Sequence, residues 1–265
     1  MNQLANYFPL KNKVALITGA GRGMALHIAC ALSAAGARLA ILDEREGEGR
    51  AIVGLLGGGQ GKAKFWKLDV SDSNAVRKVM AAVETHFGRI DILINSAGVD
   101  ADNPYAEGAA LRQWGRAMQL NVNGSIVCSK HVLPAMARRS GGAIVNVLSL
   151  CGMPGECQDA ADHASKAALR MAQINANRYA ALNIRVHSIQ PNVIRPPALA
   201  AMLRKQGDLS QALADTAELQ RRVGHGSATD VAAAILYLVS DASRFVSGGE
   251  LVVDAGYGKS PSCHN

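Results

Sequence analysis

Ser149, Asp162 and Lys166 are the residues whose types and spacing could carry chemistry, in the stretch SLCGMPGECQDAADHASKAALRMA. Ser149 ends an apolar run. Lys166 lies in an alanine-rich segment that predicts a helix, and Asp162, four residues earlier, falls one turn back on the same face. A hydroxyl, a carboxylate and an ammonium gathered in this way could hold a substrate oxygen and move a proton. Aspartate ionises well below neutral pH, and a nearby ammonium lowers it further. Keeping Asp162 protonated at neutral pH would cost about 4 kcal/mol. It therefore suits a base, or a water held jointly with Ser149 and Lys166. His163 could serve only if the helix were rotated, because adjacent helix residues point about 100° apart. A purely structural reading stands beside these. Asp159 is a candidate N-cap, Asp162 could complete the capping arrangement, and an i,i+4 pair with Lys166 adds a few tenths of a kcal/mol. Glu156, Asp159 and Asp162 make the rim acidic, which suits a cationic or hydroxyl-rich substrate. Cys151 and Cys157 flank the stretch with no histidine partner evident, so a catalytic thiol is disfavoured.

A second set of residues could hold a phosphate. ITGAGRGMA places Thr18, Gly19, Gly21, Arg22, Gly23 and Met24 between an apolar run and a helical pattern. Glycines there permit a tight turn, and the amides that open the helix can face a pyrophosphate. Asp43 ends the next apolar run, 24 residues past Gly19. A carboxylate at that point can accept from both ribose hydroxyls of an adenosine and repel a 2′-phosphate. That favours NAD(H) over NADP(H), with Arg22 pulling mildly the other way. The plain alternative is a tight turn followed by a polar strand end.

The elements that must position these groups alternate. Strands are expected over 13–19, 37–43, 64–70 and 90–98, in GGAIVNVLS, in IRVHSIQP and in GELVVDAG. Helices are expected over 24–36, weakly in GEGRAIVGLLGGGQG, over 71–88 with Ser71 as N-cap, over about 111–136, in DAADHASKAALRMAQINANRYAA and in TDVAAAILYLVSDAS. Strands separated by helices predict right-handed βαβ units and a parallel sheet of about seven strands covered on both faces. With 265 residues and 49% hydrophobic content, one large core is expected, so 1–265 reads as a single α/β domain. Residues 1–12 form an extension before it. Aromatics make up only 4%, so alanine and valine must do most of the packing.

The net charge of +7 is scattered, and the small groups at Arg138–Arg139 and Arg221–Arg222 lack interleaved aromatics. A nucleic-acid partner is not expected. The five cysteines form no C-x-x-C pair, and neither a metal site nor a disulfide framework is expected. No signal peptide and no membrane-spanning run is expected, which points to a cytoplasmic protein. His27 and His131 read as packing or surface groups, and His187 as a satisfied inner histidine.

With these residues in view, the chain resembles the short-chain dehydrogenase/reductase family along nearly its whole length. TGAGRGMA is similar to T-G-x-x-x-G-x-G, LDV (68–70) to the segment that meets adenine, and NSAG (95–98) to N-N-A-G. NVNG, IVNVLSLCG and the DHASK lysine are similar to the family's catalytic segments, and the last helix and strand to its closing ones. The resemblance implies a doubly wound Rossmann-type fold. It implies catalytic roles for Asn121, Ser149 and Lys166, with the catalytic tyrosine's place taken by Asp162, whose carboxylate ends about 3 Å short of a tyrosine hydroxyl. It implies cofactor contacts at Thr18, Gly19, Gly21, Arg22, Gly23, Met24, Asp43, Asp69, Val70, Asn95, Ala97, Gly98, Lys166, Pro191, Val193 and Ile194. Pro191-Asn192 departs from the usual P-G, and Pro196 replaces the usual threonine. Residues 192–224 would form a substrate lid, with 100–107 opposite. Pairing of the helices around 111–136 and 159–181 would give a homodimer or homotetramer. The expected activity is NAD(H)-dependent oxidation of a secondary alcohol or reduction of a ketone with an altered proton relay. The alternatives are a catalytically silent NAD-binding protein and a redox-neutral lyase or isomerase using Asp162 as base.

Overall fold

Residues 14–18 and 38–43 alternate in where they point, and that alternation builds the two faces of a sheet. Ala15, Ile17, Leu39 and Ile41 enter one core, while Val14, Leu16, Ala40 and Leu42 enter the other. In the computed structural model, residues 7–21, 23–57, 61–98, 114–148, 172–191 and 226–255 are described. Within them, β1 (Val14–Thr18), β2 (Arg38–Asp43), β3 (Ala63–Lys67), β4 (Ile92–Asn95), β5 (Gly142–Val147), β6 (Ile184–Pro191) and β7 (Glu250–Val253) form one sheet. Every neighbouring pair is parallel, in the order β3-β2-β1-β4-β5-β6-β7. The order reverses between β1 and β4, which opens a crevice at the carboxyl ends of those strands.

Helices cover both faces. On one lie α1 (Gly23–Ala34), α2 (Glu46–Leu55) and, nearer the C-terminus, α6 (Ala228–Val239). Small residues such as Ala25, Ala29 and Ala232 are buried here and let α1 lie close against α6. On the other face lie α3 (Ser73–Phe87), α4 (Ser125–Arg138) and α5 (Ala172–Tyr179), which enclose Val76, Met80, Val132 and Met136. Both cores are made largely of aliphatic and alanine side chains, as the shortage of aromatics requires.

Local signals explain most boundaries. The cap of α3 is Asp72, not the expected Ser71: its carboxylate accepts from the Asn74 and Ala75 N–H groups at 2.8 and 3.0 Å. A carboxylate at this position also meets the positive end of the helix, which a hydroxyl one residue earlier does not. Ser227 and Asp230 form a reciprocal capping box at the start of α6. The long helix expected over 111–136 is interrupted. Residues 114–117 are α-helical, Met118–Gly124 form a π-helical turn, and α4 follows. Gly124 passes close to the connection after β3, where an added Cβ would lie 2.7 Å from Val70 Cγ2. The Ser125 hydroxyl donates to the Asn121 carbonyl at 2.7 Å within this widened stretch. Residues 1–6 and the 192–224 region lie outside the described residues, as does most of the helix expected around Lys166.

Candidate active site

The crevice is built first from the end of β1. Thr18 is buried, and its hydroxyl accepts from the Ser96 and Ala97 N–H groups at 3.0 and 3.1 Å. The chain after β4 is thereby tied to the glycine turn. Gly19 follows at φ +66°, so close that an added Cβ would stand 2.7 Å from Ala97 Cα. Gly21 donates its N–H to Asp43 Oδ2 at 2.7 Å, while Asp43 Oδ1 accepts from the Arg45 N–H at 2.9 Å. Asp43 therefore braces the turn as well as ending β2, a role that sequence spacing did not announce.

The turn opens outward at Gly23, which sits at φ +63° with nothing among the described residues within 4 Å of an added Cβ. It begins α1, whose first turn carries no acidic side chain. Space open among the described residues, a helix amino end and a first helical turn without an acidic side chain fit a pyrophosphate. A carboxylate offers about four acceptor positions, and the two backbone bonds at Asp43 leave capacity for ribose hydroxyls.

Around this crevice the structure gathers several of the expected residues. Met24 is half-buried on α1. Asp69 is exposed and accepts from the Ser71 N–H at 2.8 Å, and Val70 is buried beneath Gly124. Asn95 ends β4 and donates to Asn146 Oδ1 at 2.9 Å and to the Ser129 hydroxyl at 3.1 Å, joining β4 to β5 and α4. Its own Oδ1 is buried with no partner among the described residues. Ala97 and Gly98 follow along the crevice, and Pro191 ends β6 at the same edge of the sheet. Asn121 is buried in the π-helical turn. Arg22, Ser149, Asp162, Lys166, Val193 and Ile194 lie outside the described residues.

Two groups differ from or narrow the sequence reading. His187 is buried, but it is not fully satisfied: Nε2 lies 3.2 Å from Arg185 Nη1, while Nδ1 has no partner among the described residues. Burial, and then the Arg185 charge, push the His187 pKa down to about 4, so the ring is neutral. The Cys128 thiol is pushed up to about 12 by burial and is inert at neutral pH. His27 is exposed on α1 and His131 is half-buried on α4. Among the described residues, no helix is long and apolar enough to cross a membrane.

Parallel strand order, a switch point between β1 and β4 and a glycine turn at that point define a doubly wound α/β protein of the Rossmann type. Residues 19–258 match the family model for enoyl-(acyl carrier protein) reductase. The chain is 34% identical to the D-threitol dehydrogenase of Mycolicibacterium smegmatis, over 94% of each chain. It is also 34% identical to the cyclopentanol dehydrogenase of a Comamonas species, over 94% of this chain and 98% of the relative. A gluconate 5-dehydrogenase from Burkholderia cenocepacia, solved with NADP and tartrate, superposes with a TM-score of 0.82 at 28% identity, covering 97% of this chain and 99% of the other. The chain belongs to the short-chain dehydrogenase/reductase family.

Proposed function

We propose that this protein binds NAD(H) in preference to NADP(H) and interconverts a secondary alcohol and a ketone. The observation that carries the reading is the Asp43 carboxylate beside the glycine turn. It is fixed by the Gly21 and Arg45 N–H groups and retains acceptor capacity toward the crevice. Two ribose hydroxyls match that capacity, and a 2′-phosphate meets a fixed negative charge. The nicotinamide group, when bound, supplies or accepts the hydride. The relatives named for threitol and cyclopentanol support an alcohol as substrate. Glu156, Asp159 and Asp162, acidic residues expected near the site from the sequence, favour one that is rich in hydroxyls or cationic.

In this reading Ser149 holds the substrate oxygen, Lys166 holds the nicotinamide ribose and Asn121 supports the proton path. Asp162 stands in the catalytic tyrosine's place, too short for direct contact and ionised at neutral pH. The proton passes through a water that Asp162, Ser149 and Lys166 hold together, because a general acid must lie within about 3 Å or act through one water.

The test is NADH consumption over a panel of cyclic ketones and ketoses, with wild type beside Asp162→Tyr. Turnover by wild type that Ser149→Ala abolishes is the expected result. Turnover by the tyrosine variant alone overturns the relay. It would leave a competent scaffold whose natural chemistry is cofactor binding without turnover, or a redox-neutral reaction with Asp162 as base.

A further inference from the structure

The edge of the sheet opposite the crevice gathers positive charge in a concavity. At the amino ends of β1, β4, β5 and β6, beside the end of α6, lies a cleft of about 150 Å³. Lys13, Arg89, Arg139, Arg185 and Arg244 line it, with Asp91 and Asp241. Among the described residues, five cations against two carboxylates leave +3 in one cleft, while the whole chain carries +7. β1 alone, five residues long, separates it from the glycine turn by about 16 Å.

The fixed groups form its wall. Arg89 grips Asp91 with two bonds of 2.7 and 2.5 Å, and Asp91 also accepts from the Val14 N–H at 2.8 Å, so this pair is neutral. Arg185 donates to the Leu238 carbonyl at 2.6 Å, the Ser243 hydroxyl at 2.7 Å and the Ser240 carbonyl at 3.1 Å. Its charge is thus matched by dipoles, with Asp241 the carboxylate acting on it. Three cations keep donors to offer. Arg139 uses one N–H on the Gly88 carbonyl at 2.8 Å. The side chains of Lys13 and Arg244 have no hydrogen-bond or ion-pair partner among the described residues. Cations held this close repel one another unless an anion sits between them.

We propose that this cleft is a second binding site, distinct from the cofactor crevice, for a small polyvalent oxyanion of the phosphate or pyrophosphate type, held by Lys13, Arg139 and Arg244. The volume, about that of five waters, has room for such an ion. The cations converge in a concavity with no aromatic side chain among the described residues of its wall, unlike the aromatic-studded grooves that hold single-stranded nucleic acid. An ion there bridges the start of β1, the turn before β5 and the segment after α6, and so fastens the end of α6 to the sheet.

Calorimetric titration of the full chain with pyrophosphate, and in parallel with inorganic phosphate, tests this at fixed ionic strength. Each of Lys13→Gln and Arg244→Gln is expected to weaken binding about tenfold or more, since each removes a charged donor. Lys13→Arg keeps the charge and retains binding. Gly23→Asp places a carboxylate at the mouth of the glycine turn and leaves the cleft's binding intact. Without ligand, both glutamine variants melt at or above the wild-type temperature, because they relieve repulsion, and neither shows the pyrophosphate-induced rise. The proposal is overturned if the glutamine variants bind as wild type, if Gly23→Asp alone abolishes binding, or if added chloride at matched ionic strength reproduces the stabilisation.

Discussion

Adding one methyl group at Gly19 or at Gly23 separates two functions of the same turn. Both residues have positive φ, +66° and +63°, so alanine at either bears a left-handed conformation, about 1 kcal/mol or more. The loss of unfolded-chain freedom on replacing glycine is common to both and cancels in the comparison. Their surroundings differ. At Gly19 the new methyl would stand 2.7 Å from Ala97 Cα, 3.0 Å from its nitrogen and 3.2 Å from the Ser96 carbonyl oxygen. All three are backbone atoms. They cannot retreat without stretching the bonds from Ser96 and Ala97 N–H to the Thr18 hydroxyl. Overpacking of this kind costs about 1–3 kcal/mol. Gly19→Ala should therefore lose about 3 kcal/mol, or roughly 6–12 °C in Tm for a chain of this size. At Gly23 no atom of the described residues lies within 4 Å, and the conformational cost of about 1 kcal/mol is the one expected. The methyl there projects where a pyrophosphate would approach. Urea unfolding gives the stabilities, and NADH fluorescence titration gives the affinities. Gly19→Ala should lose mainly stability and Gly23→Ala mainly affinity. Equal stability losses would refute the close-approach argument. Wild-type affinity in Gly23→Ala would refute the placing of the pyrophosphate.

His187 makes a pH-dependent contribution whose sign follows from its buried, neutral ring. The native pKa of about 4 lies below histidine's ordinary value, so the unfolded chain takes up a proton that the native chain refuses as pH falls. Its contribution is complete above the ordinary histidine range and is lost on acidification, by about 3 kcal/mol near pH 4. Urea midpoints from pH 4 to 7 should show this slope in wild type and a shallower one in His187→Gln; parallel curves would contradict it. Asp43→Asn sets an amide against the Gly21 and Arg45 N–H groups and removes the charge proposed to face the ribose. Preference for NADH over NADPH should fall about tenfold or more, read as the ratio of the two dissociation constants. An unchanged ratio would remove Asp43 as the discriminating residue.

Most of the fold was legible because each element carries its own signal. β6 was readable to the residue as IRVHSIQP, since its apolar run is bounded by a turn and a proline. The strand-to-helix alternation required a parallel sheet whatever the exact boundaries. The π-helical turn at Met118–Gly124 was not legible, because it answers to a distant contact: Gly124 must clear Val70, about fifty positions away in sequence. The cap at Asp72 was missed for a nearer reason. Ser71 and Asp72 are both good cap residues, and only the three-dimensional start of α3 decides between them.

The site divides in the same way. Spacing alone could bring Asp43 to the end of β2, because strand, helix and strand lengths are read locally. That its carboxylate would turn onto Gly21 depends on the parallel register of β1 with β2, in which Thr18 faces Leu42. The consequence reaches the chemistry. A carboxylate already fixed by two N–H groups loses little freedom when a ribose arrives, so more of the interaction energy appears as affinity. Asp43 and the glycine turn thus act as one unit. A change to either should move cofactor preference and turn stability together, whereas a change at position 162 should move turnover and leave both untouched.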